Sequence, residues 1–219
     1  MTLAISRRAR LRCSLTLAAV MAATTLAGCA PLLVGGAVVG GSMMAVDRRT
    51  SGAQIEDQAI ELKARNRVTD AIGERGNVSV TSYNRTALIT GEVRSEDDKA
   101  AVERAVSQVE NLRAIVNELQ IAGAASFTSR SSDAIITSKV KASFVDARDI
   151  STNYYKVVTE RGVVYLMGRV TEREADRATE IARGVPGVHK VVRLFEIISQ
   201  AEVDAMRVQP QTEPPKTTN

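Results

Sequence analysis

A short segment occurs twice in this chain, as VTSYNRTALITGEV at 80–93 and VVTERGVVYLMGRV at 157–170. Each copy reads as a strand, a tight polar turn and a returning strand that ends in Gly-x-Val. In both cases a capped amphipathic helix and a further apolar strand follow. Such a repeat constrains the fold more than any other feature, because it sets the domain count and limits which surfaces are free to work.

In the first repeat the spacing of Ile60, Ala64, Val68 and Ile72 predicts a helix over 56–74 with one apolar stripe. Gly76-Asn77 ends it. Val78, Val80 and Ser82 alternate with polar neighbours, Asn84-Arg85-Thr86 turns the chain, and Ala87, Ile89, Gly91 and Val93 alternate on the way back. Ser95 and Asp98 have capping-box spacing for a second helix through Val109, and Ile115, Leu119 and Ile121 predict a third strand.

The second repeat has the same order. A helix over 133–147 carries Ile136, Val140 and Phe144, and strands follow around 155–159 and 163–170. Thr171 with Glu174 caps a helix bearing Ala175, Ala178, Ile181, Ala182 and Val185; the last strand runs over 191–198. Gly91 and Gly168 are expected where a helix comes close to a strand. The predicted class is α+β: two tandem domains, each α-β-β-α-β, with a small three-stranded sheet covered on one face by two helices. The expected boundaries are 55–122 and 133–198. A short polar linker at 123–132 lets the domains reorient, and a disordered tail occupies 199–219, most plainly from Gln209 onward.

A sequence pI of about 9.3 suggests a nucleic-acid binder, but the basic excess is local. Residues 1–28 hold Arg7, Arg8, Arg10 and Arg12 and no acidic residue. The rest of the chain therefore has 29 − 4 = 25 basic against 25 acidic side chains. A neutral chain lacks the basic footprint that nucleic acid requires.

The same arginines open a three-part secretory signal, with an apolar run over 15–26 and small residues at its end. The run is too short to span a bilayer comfortably. The signal is expected to be 1–28, followed by an acylated Cys29 and a Gly-rich tether over 29–54. Leu26-Ala27-Gly28-Cys29 resembles the bacterial lipobox, and Ala30 after the cysteine points by that resemblance to the outer membrane. Cys13 falls within the signal, so no internal disulfide is expected in the mature chain. With His189 as the one histidine, no ordinary zinc site is expected either.

GVVYLMGRVTEREA followed by IARGVPGVHKV resembles the BON domain, and two copies behind a lipobox and DRRTSGAQIED resemble BON-domain outer-membrane lipoproteins. The resemblance implies a non-enzymatic envelope protein that binds anionic phospholipid and supports outer-membrane integrity, with the division site as one place of action. It implies no cofactor. It also puts the family's lipid-facing helix on 133–147, with Ile135 standing where an aromatic is expected.

Charge favours the second repeat for this role. Over 55–122 there are 9 basic and 12 acidic residues; over 133–198 there are 11 and 9. Ile135 lies outside the Ile136, Val140, Phe144 stripe, and Ala59 holds the matching position in the first repeat. Lys139 is one turn further on, with Ser138, Lys141 and Ala142 nearby. An exposed apolar group beside lysines is what binding at an anionic interface requires. The expected phospholipid site is thus Ile135, Ser138, Lys139, Lys141 and Ala142.

The rival expectation is an adaptor that docks outer-membrane assembly or division proteins through first-repeat strands or the apolar lead-in. Catalysis is disfavoured. His189 is the one imidazole available to a nucleophile, and the carboxylates Glu96, Asp97, Asp98, Glu172 and Glu174 sit where they complement helix N-termini.

Overall fold

The computed structural model describes residues 47–123 and 126–208. The expected signal, Cys29, the tether through 46 and the tail from 209 lie outside the described residues. The first domain contains α1 (Ser51–Ile72), β1 (Gly76–Tyr83), β2 (Thr86–Val93), α2 (Glu96–Ser107), β3 (Ala114–Asn117) and β4 (Gln120–Ile121). The second contains α3 (Phe127–Asp146), a 3-10 turn (Thr152–Tyr154), β5 (Tyr155–Glu160), β6 (Val163–Val170), α4 (Glu172–Arg183) and β7 (Lys190–Ile197). A further helix, α5 (Gln200–Val208), follows.

Both sheets have the hairpin's second strand in the centre. β2 pairs antiparallel with β1 and parallel with β3 and β4, which form one interrupted strand; β6 pairs antiparallel with β5 and parallel with β7. On one face of the first sheet Ala87, Ile89 and Val93 pack against Ile60, Ala64, Val68 and Ile72 of α1 and Val102 and Val106 of α2. In the second domain Val164, Leu166 and Val170 meet Ile136, Val140 and Phe144 of α3 and Ala175, Ala178 and Ala182 of α4. The apolar stripes at four-residue spacing thus build two small cores.

Each helix–hairpin joint is locked by one buried carboxylate. The turn Asn84-Arg85 has φ 47° and 66°, and Arg161-Gly162 has φ 49° and 72°, the two-residue geometry that suits a twisted hairpin. Two successive left-handed residues aim their N–H groups into one concavity suited to an anion. Asp57 of α1 fills the first, accepting from the N–H of Asn84 and Arg85 at 2.8 and 2.7 Å. Asp133 of α3 fills the second, accepting from Arg161 and Gly162 at 2.9 and 2.8 Å.

The open faces of the two sheets pack on each other. Tyr83, Leu88, Tyr165 and Met167 form a third buried cluster with Val116, Val158, Val192 and Leu194 around it. Lys156 pairs with Glu61 at 2.7 Å and Arg161 with Glu92 at 2.8 Å across this seam. The order of layers is helices, sheet, sheet, helices. At the edge of the seam Arg48 makes a two-pronged contact to Glu174 at 2.6 and 2.8 Å, and Arg49 reaches Asp57 at 2.8 Å. Adjacent arginines therefore tie the start of the described chain to both domains. Burial pushes the Glu174 carboxyl up, but bonds from Arg48 and from the N–H of Thr171 outweigh it and leave the group below its ordinary value.

Several expectations are corrected. The seam fixes two domains that the linker composition leaves free to turn. α3 starts at Phe127, with Ser126 capping it, so the expected linker supplies the first turns of a helix; α1 likewise begins at Ser51 inside the expected tether. Residues 199–208 are not a disordered tail, since Ser199 and Glu202 exchange capping bonds and Val203 of α5 is buried. A Cβ at Gly91 would strike the backbone oxygen of Asn77 on β1, and one at Gly168 that of Tyr154 in the 3-10 turn. What approaches these glycines is neighbouring strand and turn backbone, not a helix.

Candidate membrane-facing site

The candidate site is the outer face of α3. Ile136, Val140 and Phe144 are at most 8 % exposed and turn inward. At 100° per residue, Ile135, Ser138, Ala142 and Val145 fall within about 40° of the line opposite them. Ile135 is 55 % and Val145 65 % exposed; Ser138 and Ala142 are exposed as well. Lys139 and Lys141 fall about 80° to either side of that line, and both are exposed. The face therefore has an apolar centre with an ammonium group at each edge. All five expected residues come together here.

Val145, which the expected site omits, lies seven residues after Ser138 and so returns to the same face. Asp146 closes the face at its C-terminal end. The Ser138 hydroxyl donates to the Ala134 carbonyl at 2.9 Å, so it is satisfied within the helix.

Two shallow depressions flank Lys139. One, of about 440 Å³, lies over Ala134, Ile135, Ser138 and Ala142. The other, of about 530 Å³, runs between α3 and α4 past Ser143, Arg177, Ile181 and Pro186. Arg177 is held by Asp149 and Glu180 at 2.9 Å each, whereas among the described residues Lys139 and Lys141 belong to no ion pair. The matching face of α1 differs. There Lys63 pairs with Glu110, Gln58 and Asn66 replace Ala134 and Ala142, and the apolar groups are Ile55 and Leu62, 68 % and 59 % exposed.

His189 is exposed at the start of β7, its N–H donating to the Gly162 carbonyl, with its ring against Gly162. Asp98 is bonded to Arg75 and Glu174 to Arg48, so these helix-terminal carboxylates are engaged in ion pairs. No described helix is long and apolar enough to cross a membrane.

Residues 56–123 and 132–199 each match the BON domain. The chain is 38 % identical over 176 residues to the outer membrane lipoprotein DolP of Haemophilus influenzae, covering 79 % of this chain and 90 % of that one. It is 29 % identical over 155 residues to a 21 kDa hemolysin of Actinobacillus pleuropneumoniae, covering 70 % and 80 %. To the osmotically-inducible protein Y of Escherichia coli it is 27 % identical over 144 residues, covering 64 % and 72 %.

Proposed function

This chain belongs to the BON-domain family, and we propose that it is an outer-membrane lipoprotein whose second domain lays the outer face of α3 on anionic phospholipid. Membrane placement is supported by the likeness to a relative named as an outer membrane lipoprotein and by the resemblance of Leu26-Ala27-Gly28-Cys29 to a lipobox. In this reading the acyl chains on Cys29 hold the protein to the membrane on its periplasmic side, since two or three chains anchor firmly where one does not. We assign the protein to the support of outer-membrane integrity, the division site included, on the family resemblance alone.

The observation that carries the lipid reading is the edge placement of Lys139 and Lys141 beside the exposed Ile135, Ala142 and Val145. Apolar side chains at the centre enter the boundary between headgroups and acyl chains, while the lysines extend sideways to the phosphates. Each basic residue contributes about 1 kcal/mol near an anionic leaflet. Two lysines and three small or medium apolar groups give a weak contact that salt reverses, and covalent anchoring makes a weak contact sufficient by raising the local concentration of lipid.

Ile55 and Leu62, exposed on α1, favour a second reading in which the first domain docks a protein partner. The open face of its sheet is taken up by the seam, which leaves the exposed side of α1 as a surface for an adaptor. Amide chemical-shift titration with anionic micelles separates the two. The lipid reading expects shifts confined to 133–145, and shifts on α1 without any on α3 would overturn it.

A further inference from the structure

Among the described residues, Oε2 of Glu92 is buried without a hydrogen-bond partner. Glu92 is 1 % exposed, and its other oxygen accepts from Nε of Arg161 at 2.8 Å. A buried carboxylate oxygen in this state calls for a donor. Strand alternation identifies one. On β2, Leu88, Thr90 and Glu92 point across the seam; on β5, Lys156, Val158 and Glu160 do so, because Tyr155 and Val157 face the helices. Glu160 adjoins Arg161 in sequence, so the two glutamates occupy the same end of the seam.

Among the described residues, few charged groups pack around that end. Arg161 gives Nε to Glu92 and Nη2 to the Gly123 carbonyl. Asp133 on α3 uses both oxygens on the hairpin N–H groups. Arg130 on α3 and Glu92 on β2 also act on Glu160. Glu118, between β3 and β4, accepts from the Tyr165 hydroxyl at 3.4 Å. Lys156 is committed to Glu61 and to the Ser82 carbonyl, toward the other end of β5. Among the described residues, the carboxylates Glu92, Glu160 and Asp133 thus share this end with the guanidinium groups of Arg161 and Arg130. Burial pushes the Glu160 carboxyl above the usual carboxylate range, Glu92 and Asp133 add to this, and Arg161 and Arg130 oppose it. No three acidic, cysteine or histidine side chains among the described residues converge as a metal ion would need, so a proton is the fitting counter-charge.

We propose that this end of the seam holds one proton, carried by Glu160 and donated to the unpartnered Oε2 of Glu92, and that its release loosens the joint between the two domains. A carboxylic acid supplies one O–H, which is the donor that Oε2 lacks. With the proton gone, Glu92 and Glu160 are like charges on a poorly solvated face, sharing Arg161 between them. The sign follows from linkage. The folded-state value of Glu160 lies above its unfolded one, so the stability this proton confers is fully present below about pH 4.3, the unfolded value for glutamate. It is lost as pH rises through the folded value. The device is independent of what α3 binds.

The test is a carboxyl-carbon NMR titration of the full chain in non-ionic detergent, with the methyl group of Met167 as reporter, since Met167 is 1 % exposed inside the seam cluster. The expected result is a Glu160 carboxyl that titrates above about 4.3, a Met167 methyl that shifts in the same step, and loss of that step in Glu160→Gln. A Glu160 carboxyl titrating at or below the ordinary value overturns the proposal, as does a Met167 step that survives Glu160→Gln. The native titration decides the first point even if the variant folds poorly.

Discussion

Replacing Asp57 or Asp133 with alanine is expected to lower the unfolding free energy by roughly 3–5 kcal/mol, a large share of the 5–15 kcal/mol that holds an ordinary domain together. Each carboxylate satisfies two backbone N–H groups of a hairpin turn. Asn84, Arg85 and Arg161 are held at positive φ without being glycine, a conformation that costs about 1–2 kcal/mol per residue and needs compensation. Removing the carboxylate leaves buried donors unpaired and that backbone unsupported. Asp57 also accepts from the Ser82 hydroxyl at 2.7 Å and from Arg49 at 2.8 Å, so its loss should be the more severe. Asparagine fits the space but presents an NH2 group to one of the two N–H donors, so most of the cost remains. Denaturant midpoints, with the exposed Asp97→Ala as control, measure this; a loss below about 1 kcal/mol at both sites would show that the turns hold themselves.

The second large effect is expected on lipid binding. Ile135→Asp combined with Lys139→Glu should weaken binding to phosphatidylglycerol vesicles by about a hundredfold. Reversing one charge beside an anionic leaflet changes the interaction by about 2 kcal/mol, and replacing an inserted aliphatic side chain with a carboxylate removes roughly 1.5–3 kcal/mol of apolar transfer. At 1.4 kcal/mol per factor of ten, incomplete insertion still leaves about two decades. Both side chains are exposed on α3, and neither makes an ion pair among the described residues, so the fold should tolerate the change. Binding by the variant within a few-fold of the native value would remove α3 from the contact.

The two α-β-β-α-β units, the inward stripe Ile136, Val140 and Phe144 and the Thr171–Glu174 capping box could be read from the chain because each depends on residues a few positions apart. Exposure of Ile135 was legible for the same reason, as it breaks a stripe whose other members are spaced by four. What escaped is non-local. In the run VVYLM of β6 both alternating sets are apolar, and Val163, Tyr165 and Met167 are the set that meets the other sheet. That run signals burial on both faces. On β2 the signal is masked, because Thr90 and Glu92 are buried in the seam despite being polar, and a charged residue reads as a solvent face. The bond from Arg48 to Glu174 spans 126 residues, a distance over which no spacing rule operates. The helix at 200–208 is different: Ser199 and Glu202 carry the local signature, but the segment is too short for its apolar period to stand out against a proline-rich tail.

The claim that α3 meets the bilayer is tested most directly by placing a polarity-sensitive fluorophore at Ala142→Cys in the acylated chain, with Leu62→Cys on α1 as the comparison, on vesicles with and without phosphatidylglycerol. The layer order puts α1 and α3 on opposite outer faces, so one contact excludes the other on a flat membrane. The expected result is a shift to a drier environment at position 142 that requires phosphatidylglycerol, fades with salt and is absent at position 62. A probe at 142 that stays in water while the protein is bound, or one at 62 that dries in its place, would contradict the claim.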